Sequence, residues 1–271
     1  MNSISIIIPS YNEQDSIRKT IDHTLNVFSS KPVEIIVSDQ SRHELVRETL
    51  SDLIEKKKVK YIKSTGTSRS ETMNQGAKLA TGQLLVFLHA DTLLPYESPE
   101  ELSSIDLHKT PYGGFHKLFS PNNILVTINS LYRNWVVAFT WKFLWDNTVF
   151  LSRTLYNTVG GFPNMKLFED VKMAFLLKKQ IRSSNQSFLF IPYPVITSSR
   201  RFIENGPLRV YLFMAWMRIL YSIGVNDKKL QTEYRNFWRN ILKDQVVIII
   251  ATFILLLPII VIILLFILVN Y

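Results

Sequence analysis

A chain of 271 residues has room for one large or two small domains, and an apolar fraction of 47% supports a real core. Its net charge of +9, from 31 basic and 22 acidic residues, favours anionic partners, although no nucleic-acid-reading motif accompanies it and nucleic acid is set aside. The absence of cysteine excludes disulfides and thiolate metal sites and fits a reducing compartment.

The first ninety residues alternate between two periodicities. Residues 4–8 form a β-branched apolar run, followed by helical spacing over 15–28 through Ile17, Ile21, Leu25 and Phe28. Residues 33–37 read as a second strand. Residues 45–54 read as a helix ending in Lys56-Lys57-Lys58, where cations suit the negative end of the dipole. A short third strand over 59–62 precedes a helix over 68–80 closed by Gly82, and 84–88 is a fourth, fully apolar strand. Strands joined to helices by short links predict a mostly parallel sheet between helices, a Rossmann-like α/β fold.

Beyond Pro95 the regularity fades. Tyr112-Gly113-Gly114-Phe115 reads as a strand with close backbone approach. Residues 124–145 are apolar and hold Trp135, Trp141 and Trp145, which suits either a membrane-interface helix or a core helix. A Gly160-Gly161-Phe162-Pro163 turn leads to a helix over 170–179, an extended stretch over 188–197 and an aromatic-rich helix over 206–224. Residues 246–269 are 24 residues without a charge, about 36 Å as a helix and enough to cross a bilayer core of about 30 Å. Pro258 would kink that helix, which a membrane tolerates. From residue 200 to 243, nine basic and three acidic residues flank it, so the soluble part is expected on the cytoplasmic side, held to a bacterial inner membrane by a single C-terminal pass. The start of the chain is too lightly flanked to read as a secretory signal. The organisation expected is a catalytic domain over 1–205, basic and aromatic-rich juxtamembrane helices over 206–244, and an anchor over 245–271.

Several polar residues fall where the strands end. Open α/β sheets bind ligands at the carboxyl ends of their strands, so Asp91 in Phe87-Leu88-His89-Ala90-Asp91-Thr92 is placed either for a metal or for a turn before Pro95. Ser10-Tyr11-Asn12-Glu13 opens a helix after strand one, as an anion site or as a plain cap. Asp39 closes strand two, where a carboxylate accepts from a base or a ribose, or simply starts a turn. Arg69 stands in a first helical turn, against the dipole, and a diphosphate would account for it; Asn74 reaches toward the same place. Glu169-Asp170 offers a general base or a cap. Arg200 and Arg201 suit bidentate phosphate contact or membrane-side charge. The five histidines have no metal-ligand spacing, and His89 reads as a strand-end packing residue.

Taken in order, these segments resemble the family 2 glycosyltransferases of GT-A fold, over roughly residues 3 to 236. The nearest likeness is to a small bacterial branch associated with arsenosugar biosynthesis, through the Arg69-x-x-x-Met73-Asn74-x-Gly76-Ala77 run, Phe87 to Thr92, Leu94-Pro95, Gly160 to Pro163, Glu169-Asp170-Val171 and Thr197 to Arg201. Arg218 to Val225 and Tyr234 add to it. The resemblance implies a sugar-nucleotide pocket lined by Pro9, Tyr11, Glu13, Asp39, Arg69, Asn74, His89 and Ala90. It makes Asp91 the last acid of the family's D-x-D motif, holding Mg²⁺ or Mn²⁺ on the donor diphosphate, with Asp170 the base and Glu169 beside it. His89 replaces the first acid of D-x-D, Gln40 stands where Gly is usual, and the Q-x-x-R-W motif of processive synthases is absent. The activity expected is therefore a metal-dependent, inverting, non-processive transfer of one sugar to a membrane-associated or small-molecule hydroxyl. The alternatives are transfer to a polyprenyl phosphate, or a non-catalytic membrane-bound adaptor that binds a nucleotide sugar.

Overall fold

The computed structural model describes residues 1–122, 124–140 and 147–239. They divide into a unit over Met1–Ser198 and a second over Ser199–Tyr271. The strands of the first unit are β1 (Ile4–Ser10), β2 (Glu34–Asp39), β3 (Lys60–Lys63), β4 (Leu84–Phe87), β5 (Thr92–Leu93), β6 (Tyr112–Ser120), β7 (Val149–Ser152) and β8 (Phe188–Ser198). Its helices are α1 (Ile17–Val27), α2 (Leu45–Thr49), α3 (Ser51–Glu55), α4 (Arg69–Leu79), α5 (Ser98–Ser104), α6 (Ile124–Thr140), α7 (Arg153–Thr158) and α8 (Glu169–Ser183).

One sheet runs β3-β2-β1-β4-β7-β6-β8-β5 among the described residues. β1 pairs in parallel with β2 and β4, β2 with β3, and β6 with β8. β7 lies antiparallel between β4 and β6, and β5 antiparallel on β8, so β1, β2, β4 and β6 all end on one edge. β4 is apolar throughout and β1 and β2 are apolar at their centres, as strands covered on both faces are. Ile4, Ile6 and Ile8 of β1 pack with Ile17 and Ile21 of α1, Val46 of α2 and Leu53 of α3. Ile7, between them, packs on the other face with Met73 and Ala77 of α4 and with Met173, Leu177 and Ile181 of α8.

Several expectations are refined. The helix expected over 45–54 is two single turns, α2 and α3, jointed at Leu50, which is fully buried. α4 ends at Leu79 with extended Ala80 as its cap, before Gly82. β6 continues to Ser120, and its register against β8 shifts between Phe115 and His116. The close approach read from the glycines is real: a Cβ on Gly113 would lie 2.1 Å from the Leu189 carbonyl oxygen. The short helices α5 and α7 had no signature in the apolar periodicity.

The second unit holds α9 (Arg200–Asn205), α10 (Pro207–Ser222) and α11 (Asp227–Arg239). α10 and α11 pack through the stacked rings of Phe213 and Phe237, 3.6 Å between centroids, with the Arg209 guanidinium over Phe237. The uncharged run over 246–269, Trp141 and Trp145 lie outside the described residues. Among the described residues no helix is long and apolar enough to cross a membrane.

Candidate active site

The edge where β1, β2 and β4 end carries most of the polar residues singled out above. Pro9 and Ser10 finish β1, and Pro9 stands beyond the last β1–β4 pair at Ile7 and Phe87, where its missing N–H leaves no gap in that ladder. Tyr11 is exposed just past the edge. Asn12 adopts φ 56°, a left-handed turn that Asn tolerates, and its N–H donates to Ser41 Oγ at 2.7 Å. The Glu13 carbonyl accepts from Ser16 and Ile17 N–H, and its carboxylate accepts from Ser16 Oγ at 2.9 Å. Helix α1 therefore starts after Ser16, and neither Ser10 nor Asn12 caps it.

Asp39 is fully buried at the end of β2, and both of its oxygens are engaged. Oδ1 accepts from Ser41 N–H at 3.1 Å and Ser41 Oγ at 2.5 Å, while Oδ2 accepts from the Tyr61 hydroxyl at 2.9 Å, with Lys63 Nζ at 3.8 Å. Burial, then the hydrogen bond to Asp39, pushes the Tyr61 phenol up so that it stays protonated and donating. A cleft of about 250 Å³ opens beside this network, lined by Asn12, Gln14, Ser41, His43, Leu45 and Val46. Asp39 thus fixes the residues that face the cleft. Tyr61 and Lys63 lie too far along the chain from Asp39 for spacing to have linked them.

Arg69 is the first residue of α4, whose N-cap Ser68 accepts from Glu71 N–H at 3.2 Å. Its Nη2 lies 2.5 Å from His89 Nε2 and 3.2 Å from Nδ1. Guanidinium only donates, so the imidazole accepts. His89 is a polar partner here as well as a strand-end residue. The loop after β4 is pinned by the Ala90 carbonyl, which accepts from Thr20 Oγ1 of α1 at 2.8 Å, and turns through Thr92 N–H to the His89 carbonyl. Asp91 sits on that turn, beside β5, where Thr92 Oγ1 meets Thr197 Oγ1 of β8 at 2.9 Å. The Asp91 carboxylate forms no ion pair among the described residues, and the Thr92 hydroxyl is 3.4 Å from its Oδ1.

Among the described residues no three His, Asp or Glu side chains converge as a metal cage. Asp91 nevertheless fits a hard divalent cation. It offers one oxygen donor at the strand edge, the kind of site that Mg²⁺ completes with waters and substrate phosphates.

The loop before α8 is laid over the first turns of α4. Ser70 Oγ donates to the Met165 carbonyl at 2.9 Å, and Asn164 hydrogen-bonds Glu71, adding to the Thr67 N–H that chiefly holds this carboxyl below its usual range. Asn74 Oδ1 accepts from the Tyr156 hydroxyl at 2.6 Å and Phe162 N–H at 2.9 Å, and its Nδ2 donates to the Phe162 carbonyl. Both ends of the Asn74 amide serve the Gly160–Pro163 turn. Glu169 and Asp170 follow at the start of α8, after Phe168 at φ 61°. Glu169 is buried, and Asp170 Oδ1 accepts from Val171 N–H at 2.7 Å. The chain of contacts from His89 through Arg69, Ser70 and Met165 thus links the Asp91 loop to the segment carrying Asp170. Arg200 and Arg201 lie in the second unit, exposed in the first turn of α9. The clamps from Ser70, Glu71 and Asn74 had no signal in the sequence, because their partners lie in a turn and loop about ninety residues away.

Residues 5–104 match the family model for glycosyl transferase family 2. That span contains β1 to β4, Asp39, Arg69 and Asp91. A dolichol-phosphate mannosyltransferase of Pyrococcus furiosus is 30% identical over 95 residues, 35% of this chain and 27% of the relative. Among solved structures, a mannosyltransferase from Pyrobaculum calidifontis in complex with GDP-Man and Mn²⁺ superposes with a TM-score of 0.55 at 15% identity, covering 80% of this chain and 64% of that one. Staphylococcus aureus TarS in complex with UDP also gives a TM-score of 0.55, at 16% identity, covering 87% of this chain and 72% of that one. These likenesses establish the GT-A-like α/β fold with its mostly parallel sheet. The chain spans about a quarter of the curated relative's length and under two thirds of the Pyrobaculum protein.

Proposed function

We propose that the first unit transfers one sugar from a nucleotide-sugar donor, with inversion, at the edge where β1, β2 and β4 end. The observation that carries this reading is the Arg69–His89 contact two residues before Asp91. It sets the Arg69 guanidinium on the His89 ring close in sequence to the Asp91 carboxylate, which forms no ion pair among the described residues, at the place where an open α/β sheet binds a diphosphate. The nucleobase enters the cleft beside Ser41 and Asn12, whose positions Asp39 fixes, and Tyr11 covers it. Arg69 donates to the diphosphate and offsets the charge that grows on it as the sugar leaves. Asp170 takes the proton from the acceptor hydroxyl as that oxygen attacks from the opposite face, and Glu169 supports it. Asp91 would hold Mg²⁺ or Mn²⁺, which would supply Lewis-acid neutralisation of the diphosphate. His89 and Ala90 shape the loop that presents Asp91, and Pro9 and Glu13 shape the edge opposite. Arg200 and Arg201 are assigned to phosphate on the donor or at the headgroups.

The acceptor is assigned to the membrane, with the catalytic unit on the cytoplasmic side, because of the uncharged run over 246–269 and the basic segment before it. A polyprenyl phosphate as acceptor is the second reading, favoured by the mannosyltransferase likeness over 95 residues. Within the family, the Arg69-to-Pro95 run supports a place beside the arsenosugar-associated branch without naming the acceptor.

Release of nucleoside diphosphate from UDP-, GDP- and dTDP-sugars, followed with Mn²⁺ and purified membranes, tests both readings. Asp91→Ala is expected to abolish metal-dependent release. Asp170→Asn is expected to lower transfer to a hydroxyl by about 10²–10⁴-fold, the usual worth of a general base. Full activity in Asp170→Asn assigns the acceptor to the phosphate class, and full activity in Asp91→Ala overturns the site.

A further inference from the structure

Helix α6 is amphipathic in the wrong sense for a helix that faces water. Its inward side chains are Val126, Ser130, Asn134 and Val137, spaced at helical intervals and all buried. Polar groups on that side tie the helix to β6. Asn134 brackets Lys117, its Oδ1 accepting from the Lys117 N–H at 3.1 Å and its Nδ2 donating to the Lys117 carbonyl at 3.0 Å. The Lys117 ammonium is itself buried, 4.7 Å from the centre of the Phe119 ring. The outward side chains are Ile124, Leu125, Ile128, Leu131, Tyr132 and Trp135, between 46% and 76% exposed. They recur at i, i+1, i+4, i+7, i+8 and i+11, one continuous stripe along the helix. A surface helix ordinarily turns its charged face to water and its apolar stripe to the core. None of the described side chains of α6 is charged, and its sequence holds a single charge, Arg133.

We infer that this stripe is a bilayer-docking face that lies in the headgroup region with α6 parallel to the membrane plane. Three observations choose a bilayer over a protein partner. The stripe offers no charge to fix a register against another protein surface, and a bilayer requires none. Two of its six members, Tyr132 and Trp135, are the amphipathic aromatics that favour the boundary between headgroups and acyl chains. The same chain carries 24 uncharged residues over 246–269 behind a strongly basic segment, so a bilayer is the apolar phase its sequence already addresses.

The position of the stripe gives it a use. β6 runs parallel to β1 and β4, and α6 begins four residues after β6 ends, so Ile124, Leu125 and Ile128 stand near the edge that carries Asp91. Docking along α6 sets that edge beside the headgroups, where a lipid-borne acceptor presents its reacting oxygen. The choice of a bilayer leans on reading 246–269 as a membrane segment. It does not depend on sugar transfer, and its test needs no turnover.

The chain contains no cysteine, so single thiols can be placed without removing any. Full-length Ile128→Cys and Leu131→Cys, each carrying an environment-sensitive fluorophore, are reconstituted into vesicles of phosphatidylethanolamine and phosphatidylglycerol with doxyl-labelled lipid as quencher. Lys58→Cys, exposed on the first unit after α3, serves as the water-facing control. Both α6 probes are expected to shift to the blue and to be quenched about three-fold or more strongly than the probe at position 58, as befits side chains sunk into the acyl boundary. Water-like emission with quenching no stronger than at position 58 overturns the inference. A blue shift without lipid quenching also overturns it, because a second copy or the chain's own terminal segment then covers the stripe.

Discussion

Asp39 shows how a residue legible in the sequence has partners in the structure that the sequence did not announce. Its place at the end of a strand marks it as a ligand-facing carboxylate, yet Ser41 and Tyr61 occupy both of its oxygens. What it contributes is the rigidity of the neighbouring cleft. Tyr61→Phe removes one charge-assisted donor and is expected to cost about 1–2 kcal/mol of stability, seen in chemical denaturation. The same variant should weaken donor binding several-fold with little change in kcat, read from initial rates, because the reacting groups are untouched. Asn74 departs from expectation in a related way. Its spacing after Arg69 suggests the donor pocket, while its amide clamps the Gly160–Pro163 turn through three hydrogen bonds. Arg69 was legible because a cation in a first helical turn needs a reason. Its hydrogen bond to His89 was not, since twenty residues separate the two.

At the scale of elements, the apolar strands and the long helices could be read because their periodicities are strong. The short α5 and α7, and the break at Leu50, could not, since one or two turns contain too few repeats to register. Packing between elements is also close where α4 crosses β1. A Cβ at Gly76 would lie 2.6 Å from Ile7 Cγ2, so Gly76→Ala is expected to destabilise the protein by about 1–3 kcal/mol. As α4 also carries Arg69 and Ser70, donor affinity should fall with it, and calorimetry on the variant measures both. Glu34 joins strands at the opposite edge, accepting from Ser5 Oγ, Lys60 Nζ at 2.5 Å and Thr81 N–H at 2.7 Å. Burial alone would raise its pKa, but these donors outweigh it and hold the carboxyl at about 2, against an ordinary 4.5. A depressed carboxyl stabilises the fold above its unfolded pKa and loses that contribution as pH falls through the folded value. Stability should therefore drop by on the order of 2 kcal/mol between about pH 5 and 2, after allowance for partial solvent screening. Glu34→Gln should flatten this part of the acid limb in pH-dependent melting curves.

Across the whole molecule, the βα alternation of the first ninety residues announces the fold class, and the family match over 5–104 covers that stretch. The later strands gave weaker signals because β7 and β5 run against the sheet and β5 is only two residues long. A correct donor with Mn²⁺ at 100 times its Kd stabilises the native state by about 2.7 kcal/mol, and a rise in Tm of about 5–10 °C is expected in a thermal-shift assay. Chelation should reverse most of that rise. The hydrogen bond from Thr92 to Thr197 closes a loop of 105 residues, so the strand beside Asp91 finds its neighbour only near the end of the first unit. During synthesis, therefore, the earlier strands can condense while the Asp91 loop still has a free flank. A nascent chain halted short of residue 188 would hold seven of the eight strands, with β5, beside Asp91, still lacking its only partner in the sheet.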